Sequence, residues 1–401
     1  MNGIKRFNFA RGHPNRSLLP THEIQAILNK VAVDTVRLSA SLNYGDEEGN
    51  SDFLSELNEF LKRRCETDEY PDDRKVPESK LFATHGVSHG VELISATLAS
   101  AGDLVLVENP TYFLVAGIFK AHNLKVESLP MQAHGIDFAE LQERLKGGMK
   151  PKLVYVIPSH QNPTARTMNL GDRIKLCNLA ERYDFTVIAD EVYHLLDWRI
   201  LDRDGKRPAR FSSLSSSAIS ISSFTKIFGP GLRCGWIEGP LDSIRRIKQY
   251  GYIGSQGGCV PFIGNLMRTA LETRLADEVL NKLNAAYCKR VELLVGILLQ
   301  DDRLEIAVKP LGGYFVWIRL FSNELTTLKA SDFLDYCCER GISFLPGDRC
   351  DPSNSGSLSQ CIRLCFADLD ETDLKDGAEL FVLLYRRFCD DQHKIPQNSQ
   401  Q

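Results

Sequence analysis

The chain has no apolar run approaching the ~18 residues that a membrane-crossing helix needs, so a membrane-embedded protein is excluded as a reading of these 401 residues. It also lacks an excess of charge of either sign, with 48 Lys and Arg against 52 Asp and Glu. The basic residues are scattered and not interleaved with aromatics, which argues against a nucleic-acid surface. Cysteine is present 11 times but never as C-x-x-C, and Cys361 and Cys365 share what reads as a strand. That speaks against a zinc site or a disulfide framework and for reduced thiols; no metal is expected. Residues Met1 to Asn8 carry no signal-peptide core, and a turn at Arg11-Gly12-His13-Pro14 follows at once. The expectation is a soluble, cytoplasmic protein. There are no internal repeats, and low-complexity sequence is confined to Ser212–Ser217.

What is present is alternation. Short apolar runs at Leu81–Thr84, Leu104–Glu108, Leu153–Ile157, Thr186–Asp190, Ala218–Ser222 and Cys234–Glu238 read as strands. Helical patterns fall between them, at Gly90–Ala99, Tyr112–Ala121, Leu170–Tyr183 and Leu241–Gly251. Such alternation predicts an α/β fold with a mostly parallel sheet covered on both faces. Ligands then collect beyond the carboxyl ends of the strands. A long helical stretch, Pro261–Gln300 with a break near Arg274, leads into strands at Leu304–Val308, Tyr314–Leu320, Ile342–Leu345 and Cys361–Phe366. With helices at Ala330–Arg340 and Leu374–Arg387, this reads as a smaller α+β domain. The predicted division is a large domain over 45–285, a small domain formed by 1–44 and 286–392, and a disordered polar tail over 393–401. An early helix, Thr21–Leu38, is expected to pack with the small domain; Ser51–Cys65 reads as another amphipathic helix.

Lys226 is the most informative residue. It follows the apolar strand Ala218–Ser222 and precedes the bend Gly229-Pro230-Gly231, with Ser223 before it and Arg233 after it. A lysine at the end of a buried strand loses hydration, which lowers its pKa and frees an amine to attack an aldehyde. Ser223 and Arg233 offer a hydroxyl and a guanidinium fork to a phosphate. Taken alone, the segment leaves open the plainer reading of a surface Lys and Arg beside a turn. The spacing is not G-x-G-x-x-G, so a nucleotide loop at Gly229–Gly235 fits poorly.

Other strand ends supply what a phosphorylated aromatic aldehyde such as pyridoxal phosphate needs. Gly86-Val87-Ser88-His89-Gly90 opens a helix, whose amides and dipole favour an anion. Tyr112 follows a strand and offers a ring face to a flat ligand. Asn162, in Gln161-Asn162-Pro163-Thr164, presents an amide to the crevice. Asp190 ends an apolar strand, where a charge needs a partner such as a protonated ring nitrogen. Tyr193 is placed to share a phenolate oxygen with Asn162. For each, an ordinary structural role remains open.

With these pieces in order, and with Tyr44-Gly45, Asn109-Pro110-Thr111-Tyr112, Asp190-Glu191-Val192-Tyr193 and Arg363-Leu-Cys-Phe-Ala367, the chain resembles the class I (fold type I) pyridoxal-phosphate-dependent aminotransferases from about Phe9 to Ala367. The resemblance implies pyridoxal 5'-phosphate held by Lys226 as an aldimine, with Lys226 as acid and base. It implies Asp190 on the ring nitrogen, Asn162 and Tyr193 on the phenolate oxygen, and Tyr112 stacked on the ring. Gly86, Val87, Ser88, Ser223 and Arg233 become the phosphate site. Tyr44 would reach the phosphate of a neighbouring subunit, so a homodimer is implied. Arg363 would clamp the substrate α-carboxylate, with Asn162 and Gly12 beside it, and Arg11 is a candidate for a second carboxylate. Two departures from the family pattern are Ala165 in place of a glycine and Val87 in place of a small or hydroxylated residue. The expected activity is transfer of an amino group from an L-amino acid to a 2-oxo acid, with aromatic, branched or aminoadipate-type substrates favoured. The alternatives are a C–S β-lyase or racemase on the same fold and, more remotely, a non-catalytic cofactor-binding regulatory module.

Overall fold

The computed structural model describes residues 5–66, 68–70, 78–133, 135–201, 206–258, 261–321 and 328–393. The expected tail lies, from residue 394, outside the described residues. Its strands in chain order are β1 (Phe7–Asn8), β2 (Ser79–Thr84), β3 (Leu104–Asn109), β4 (Lys125–Gln132), β5 (Gly135–Ile136), β6 (Pro151–Val156), β7 (Thr186–Asp190), β8 (Ala218–Ser223) and β9 (Gly235–Pro240). Then come β10 (Leu304–Ile306), β11 (Phe315–Leu320), β12 (Ile342–Ser343), β13 (Leu345–Pro346) and β14 (Cys361–Cys365).

The large sheet has the order β2-β9-β8-β7-β6-β3-β4-β5. Its centre, from β8 through β4, is parallel, while β9 and β5 pair antiparallel. Each central strand divides its side chains between two cores, as a pleat requires. Val105, Val107, Leu153, Tyr155 and Ile188 face one core; Leu106, Val154, Val156, Val187 and Ala189 face the other. The fold is thus the doubly covered α/β sheet expected. The expected strands missed β4, because Lys125–Gln132 is a partly exposed stretch with polar residues and a proline rather than an apolar run.

The helices begin with α1 (Thr21–Val33), α2 (Thr35–Ser41), α3 (Ser51–Arg64), α4 (Val87–Leu98), α5 (Val115–Ala121), α6 (Phe138–Lys146) and α7 (Leu170–Tyr183). They continue with α8 (Leu241–Lys248), α9 (Gly251–Gly254), α10 (Pro261–Glu272), α11 (Leu275–Leu298), α12 (Ala330–Cys338) and α13 (Glu371–His393). The single early helix expected over Thr21–Leu38 is two. Asp34 leaves helical geometry and its carboxylate accepts from Arg37 N at 2.9 Å, capping α2. Both helices pack on α10, whereas β1 pairs in parallel with β12. The break near Arg274 is real, with Arg274 in the left-handed region at φ 61°. The helix expected from Tyr112 begins only at Val115.

A second, antiparallel sheet, β10-β11-β14-β13, carries Arg363 in β14, opposite Trp317 and Leu345. No helix among the described residues is long and apolar enough to cross a membrane.

Candidate active site

The carboxyl ends of β6, β7 and β8, the start of α4, the N-terminal segment and β14 converge on one cavity of about 410 Å³. It gathers Lys226, Asp190, Asn162, Tyr193, Tyr112 and Ser223 from the large sheet. Val87, Ser88 and Arg233 line one end, and Arg11, Gly12 and Arg363 another. Tyr44 is not among the lining residues and is 82% exposed. Gly86 sits immediately behind the lining, where an added Cβ would fall 2.9 Å from Arg233 Nη2.

Lys226 ends a 3-10 turn, Phe224–Lys226, that continues directly from β8. Ser223 Oγ caps this turn by accepting from Thr225 N at 2.9 Å. The lysine Nζ donates to Gly12 O at 3.0 Å and lies 5.1 Å from the Tyr314 ring centre and 5.8 Å from that of Tyr193. Its side chain keeps some access along the cavity, but its surroundings are dense. Lost hydration, assisted by the Arg363 charge and opposed by Cys365 and Asp190, pulls its pKa down to about 8.

Asp190, at the end of β7, is buried; it accepts from Tyr155 Oη at 2.7 Å and from Val192 N at 3.3 Å. Burial pushes its pKa up to about 6, against those hydrogen bonds and the Lys226 charge. A buried carboxyl with these properties favours a cationic or proton-bearing partner in the cavity.

Arg363 is 3% exposed, donates to Asn162 Oδ1 at 2.9 Å and to Ala10 O at 2.6 Å, and stacks 4.1 Å from the Phe315 ring centre. Its Nε is buried without a partner, and among the described residues no carboxylate pairs with it. A buried guanidinium so placed suits a carboxylate ligand. The N-terminal segment closes over it: Asn8 Oδ1 accepts from Ala10 N and Arg11 N at 2.9 and 3.1 Å. Gly12 is required there, since a Cβ would sit 2.9 Å from Phe315 Cζ.

At the opposite end α4 starts after Gly86, at φ 94°, with no side-chain cap on its first amides. Arg233 lies beside it and donates to His85 O at 2.6 Å. Open helix amides next to a guanidinium form an anion site. One expected donor is turned elsewhere: the Ser223 hydroxyl donates to Cys234 O at 2.8 Å. Thr225, not among the expected site residues, lines the cavity beside it.

Sequence reasoning also missed the supports. Ser159 Oγ and His194 Nδ1 are 3.1 Å apart, and His194 Nε2 is 2.9 Å from Asp68, which Arg207 binds. All are buried away from the cavity, so this triad-like chain braces the turns bearing Asn162 and Tyr193 rather than acting on a ligand. Gln161 Nε2 bonds Glu108 at 3.1 Å and Pro110 O at 2.8 Å, joining the Asn162 turn to the one leading to Tyr112. No local motif signals such pairings.

The profile of the family described as aminotransferase class I and II matches residues 14–381. The chain belongs to that family. It is similar to an aromatic-amino-acid aminotransferase of Thermococcus litoralis, at 27% identity covering 92% of this chain and 85% of the relative. It is similar, too, to the 2-aminoadipate transaminase of Thermus thermophilus, at 24% identity over 92% and 87% of the two chains. Among solved structures, the Pyrococcus horikoshii kynurenine aminotransferase in complex with PMP superposes with a TM-score of 0.83 at 24% identity, covering 96% and 91%. That likeness establishes the fold of this aminotransferase as fold type I.

Proposed function

We propose that this aminotransferase uses pyridoxal 5'-phosphate, with Lys226 as its attachment point, to move the amino group of an L-amino acid to a 2-oxo acid. The observation that carries the reading is the Lys226 amine, with its pKa lowered to about 8, sharing one cavity with the buried carboxyl of Asp190. The donor set fits the cofactor: an amine for the aldehyde, a carboxyl for the ring nitrogen, and an open helix start with Arg233 for the phosphate. When bound, the cofactor supplies a ring that accepts the electron pair left on the substrate carbon.

The chain's own residues do the rest. Lys226 Nζ, partly neutral near neutral pH, takes the proton from the substrate α-carbon and returns it to another position. Asp190 stays ionised opposite a protonated nitrogen. Asn162 and Tyr193 would bond the cofactor's phenolate oxygen, and Tyr112 would pack against its ring. Gly86, Val87 and Ser88 at the start of α4 join Arg233 and the Ser223–Thr225 turn around the phosphate. Arg363 takes the α-carboxylate, with Gly12 keeping the backbone clear. The exposed Tyr44 supports a homodimer in which it reaches the other copy's site. We also propose the division into a large domain, 45–285, and a small one, 1–44 with 286–392, in which β1 pairs with β12 of the small domain while α1 and α2 reach across to α10 of the large one. A reducing, cytoplasmic setting is proposed from the cysteine pattern of the sequence, eleven residues with no C-x-x-C pair.

Aromatic or 2-aminoadipate-type donors are favoured by the names of the relatives, branched donors by the sequence resemblance alone, and Arg11 is the candidate for a distal carboxylate. A panel of amino donors, followed through the cofactor's absorbance and paired with a 2-oxo acid, tests this. Borohydride reduction followed by peptide mapping is expected to place the cofactor on Lys226. Ammonia release without amine transfer would establish the β-lyase alternative instead, and loss of substrate stereochemistry without amine transfer the racemase.

A further inference from the structure

We infer that Tyr314 is a positioning residue for Lys226: its hydroxyl fixes the lysine backbone and its ring closes one side of the pocket around Nζ. This deepens the reading of Lys226 as the cofactor-bearing amine and rests on it. Tyr314 is fully buried just before β11, and its Oη donates to Lys226 O at 2.9 Å. That bond acts at the C-terminal end of a one-turn 3-10 helix, where a carbonyl has no intrahelical donor. The ring lies 5.1 Å from Nζ and 5.4 Å from the Tyr193 ring, so two aromatic faces flank the amine.

Tyr314 is itself held from three directions. Tyr287 packs against it at 5.2 Å between ring centres, and the two hydroxyls are 3.4 Å apart. Phe366 N donates to Tyr314 O at 3.1 Å. The preceding Gly312 and Gly313 press on His160: a Cβ at Gly312 would collide with the imidazole and one at Gly313 would fall 2.8 Å from His160 Cβ, while Gly313 N donates to Leu196 O at 2.8 Å. One buried tyrosine therefore ties the lysine turn to the turn carrying Asn162. Cation–aromatic contact favours the charged amine, whereas exclusion of water favours the neutral one. The other groups facing Nζ are His13 of the N-terminal segment, Asp190 at the end of β7, and Arg363 and Cys365 on β14.

The test uses Tyr314→Phe, which removes only the hydroxyl, and Tyr314→Met, which also removes the ring. For the holoenzyme kcat and KM are measured; for the full chain stripped of cofactor, the pH midpoint of Lys226 acetylation is read by peptide mass spectrometry. Tyr314→Phe is expected to lower kcat roughly ten-fold, the worth of one lost hydrogen bond, with KM for the donor and the midpoint unchanged. Tyr314→Met is expected to raise the midpoint by about one pH unit as water reaches Nζ. If Tyr314→Met does not fold, Tyr314→Phe alone decides. Wild-type kcat in Tyr314→Phe, or a donor KM that rises in step as kcat falls, overturns the positioning role. An unmoved midpoint in folded Tyr314→Met overturns the part assigned to the ring. If borohydride traps no adduct at Lys226 in the wild type, the underlying reading fails first; an adduct there with unaffected variants overturns this inference alone.

Discussion

Glu108 offers a quantitative test of how the site is supported. It lies in β3, 1% exposed, and its Oε2 accepts from Ile157 N at 3.0 Å and from Gln161 Nε2 at 3.1 Å. Burial pushes its pKa up to about 8, and the nearby Asp190 charge adds to the shift, while the two hydrogen bonds restrain it. The unfolded chain has its ordinary value of 4.5. A raised acid pKa stabilises the fold below the unfolded value, and that contribution disappears as pH rises through the folded one. At ~1.4 kcal/mol per unit, the shift corresponds to roughly 5 kcal/mol lost between about pH 4.5 and pH 8. Glu108→Gln keeps an oxygen acceptor for both donors and never ionises. The substitution is expected to flatten this slope, so that the variant unfolds at higher urea than wild type at pH 9 and at equal or lower urea at pH 5. Asp190 titrates over a lower range in both proteins and largely cancels in the difference. Urea midpoints and m-values at fixed pH across this range provide the measurement. Curves that stay parallel from pH 5 to 9 would show that Glu108 does not carry a raised pKa in the fold.

Other outcomes follow from named contacts. Arg363→Lys keeps the charge but loses the fork, costing about 2 kcal/mol of carboxylate binding. Steady-state kinetics should then give a donor KM raised roughly thirty-fold; an unchanged KM would remove Arg363 from the substrate site. Gly235→Ala places a Cβ 2.7 Å from Gly86 Cα and from Ser222 O. It should cost about 1–3 kcal/mol in a thermal melt and weaken cofactor binding by moving the start of α4. Gly231→Ala, with open space around its Cβ, is the control; equal melting of the two variants would refute the packing argument.

The strand ends were legible because a doubly covered parallel sheet writes its strands as nearly continuous apolar runs. β6, β7 and β8 are such runs, and Asn162 and Lys226, which follow β6 and β8, meet Asp190, which ends β7, in the cavity. β4 was not legible, being half exposed and broken by Pro130. The division of α1 from α2 depended on the Asp34 carboxylate capping a new turn rather than on any proline or glycine. Ser223 was placed at the cavity, but its hydroxyl direction was decided by Cys234 O, a partner reachable only once β8 and β9 pair.

By itself, the amino-acid sequence determined which groups stand at the carboxyl ends of the parallel strands, because strand periodicity and the residues that terminate it are local properties. It also determined family membership, carried by motifs within those loops. Only the tertiary structure decided that Arg363 reaches Asn162, 201 positions away, and that His194 pairs with Asp68, 126 positions away. It alone set Tyr314 against the backbone of Lys226, 88 positions before it. The first and last of these arise from the packing of the small sheet against the large one, and the His194–Asp68 pair from the segment after α3 folding back beside the end of β7. The lowered pKa of Lys226 belongs to the same class: the lysine is a residue of the sequence, but its desolvation is a property of everything folded around it.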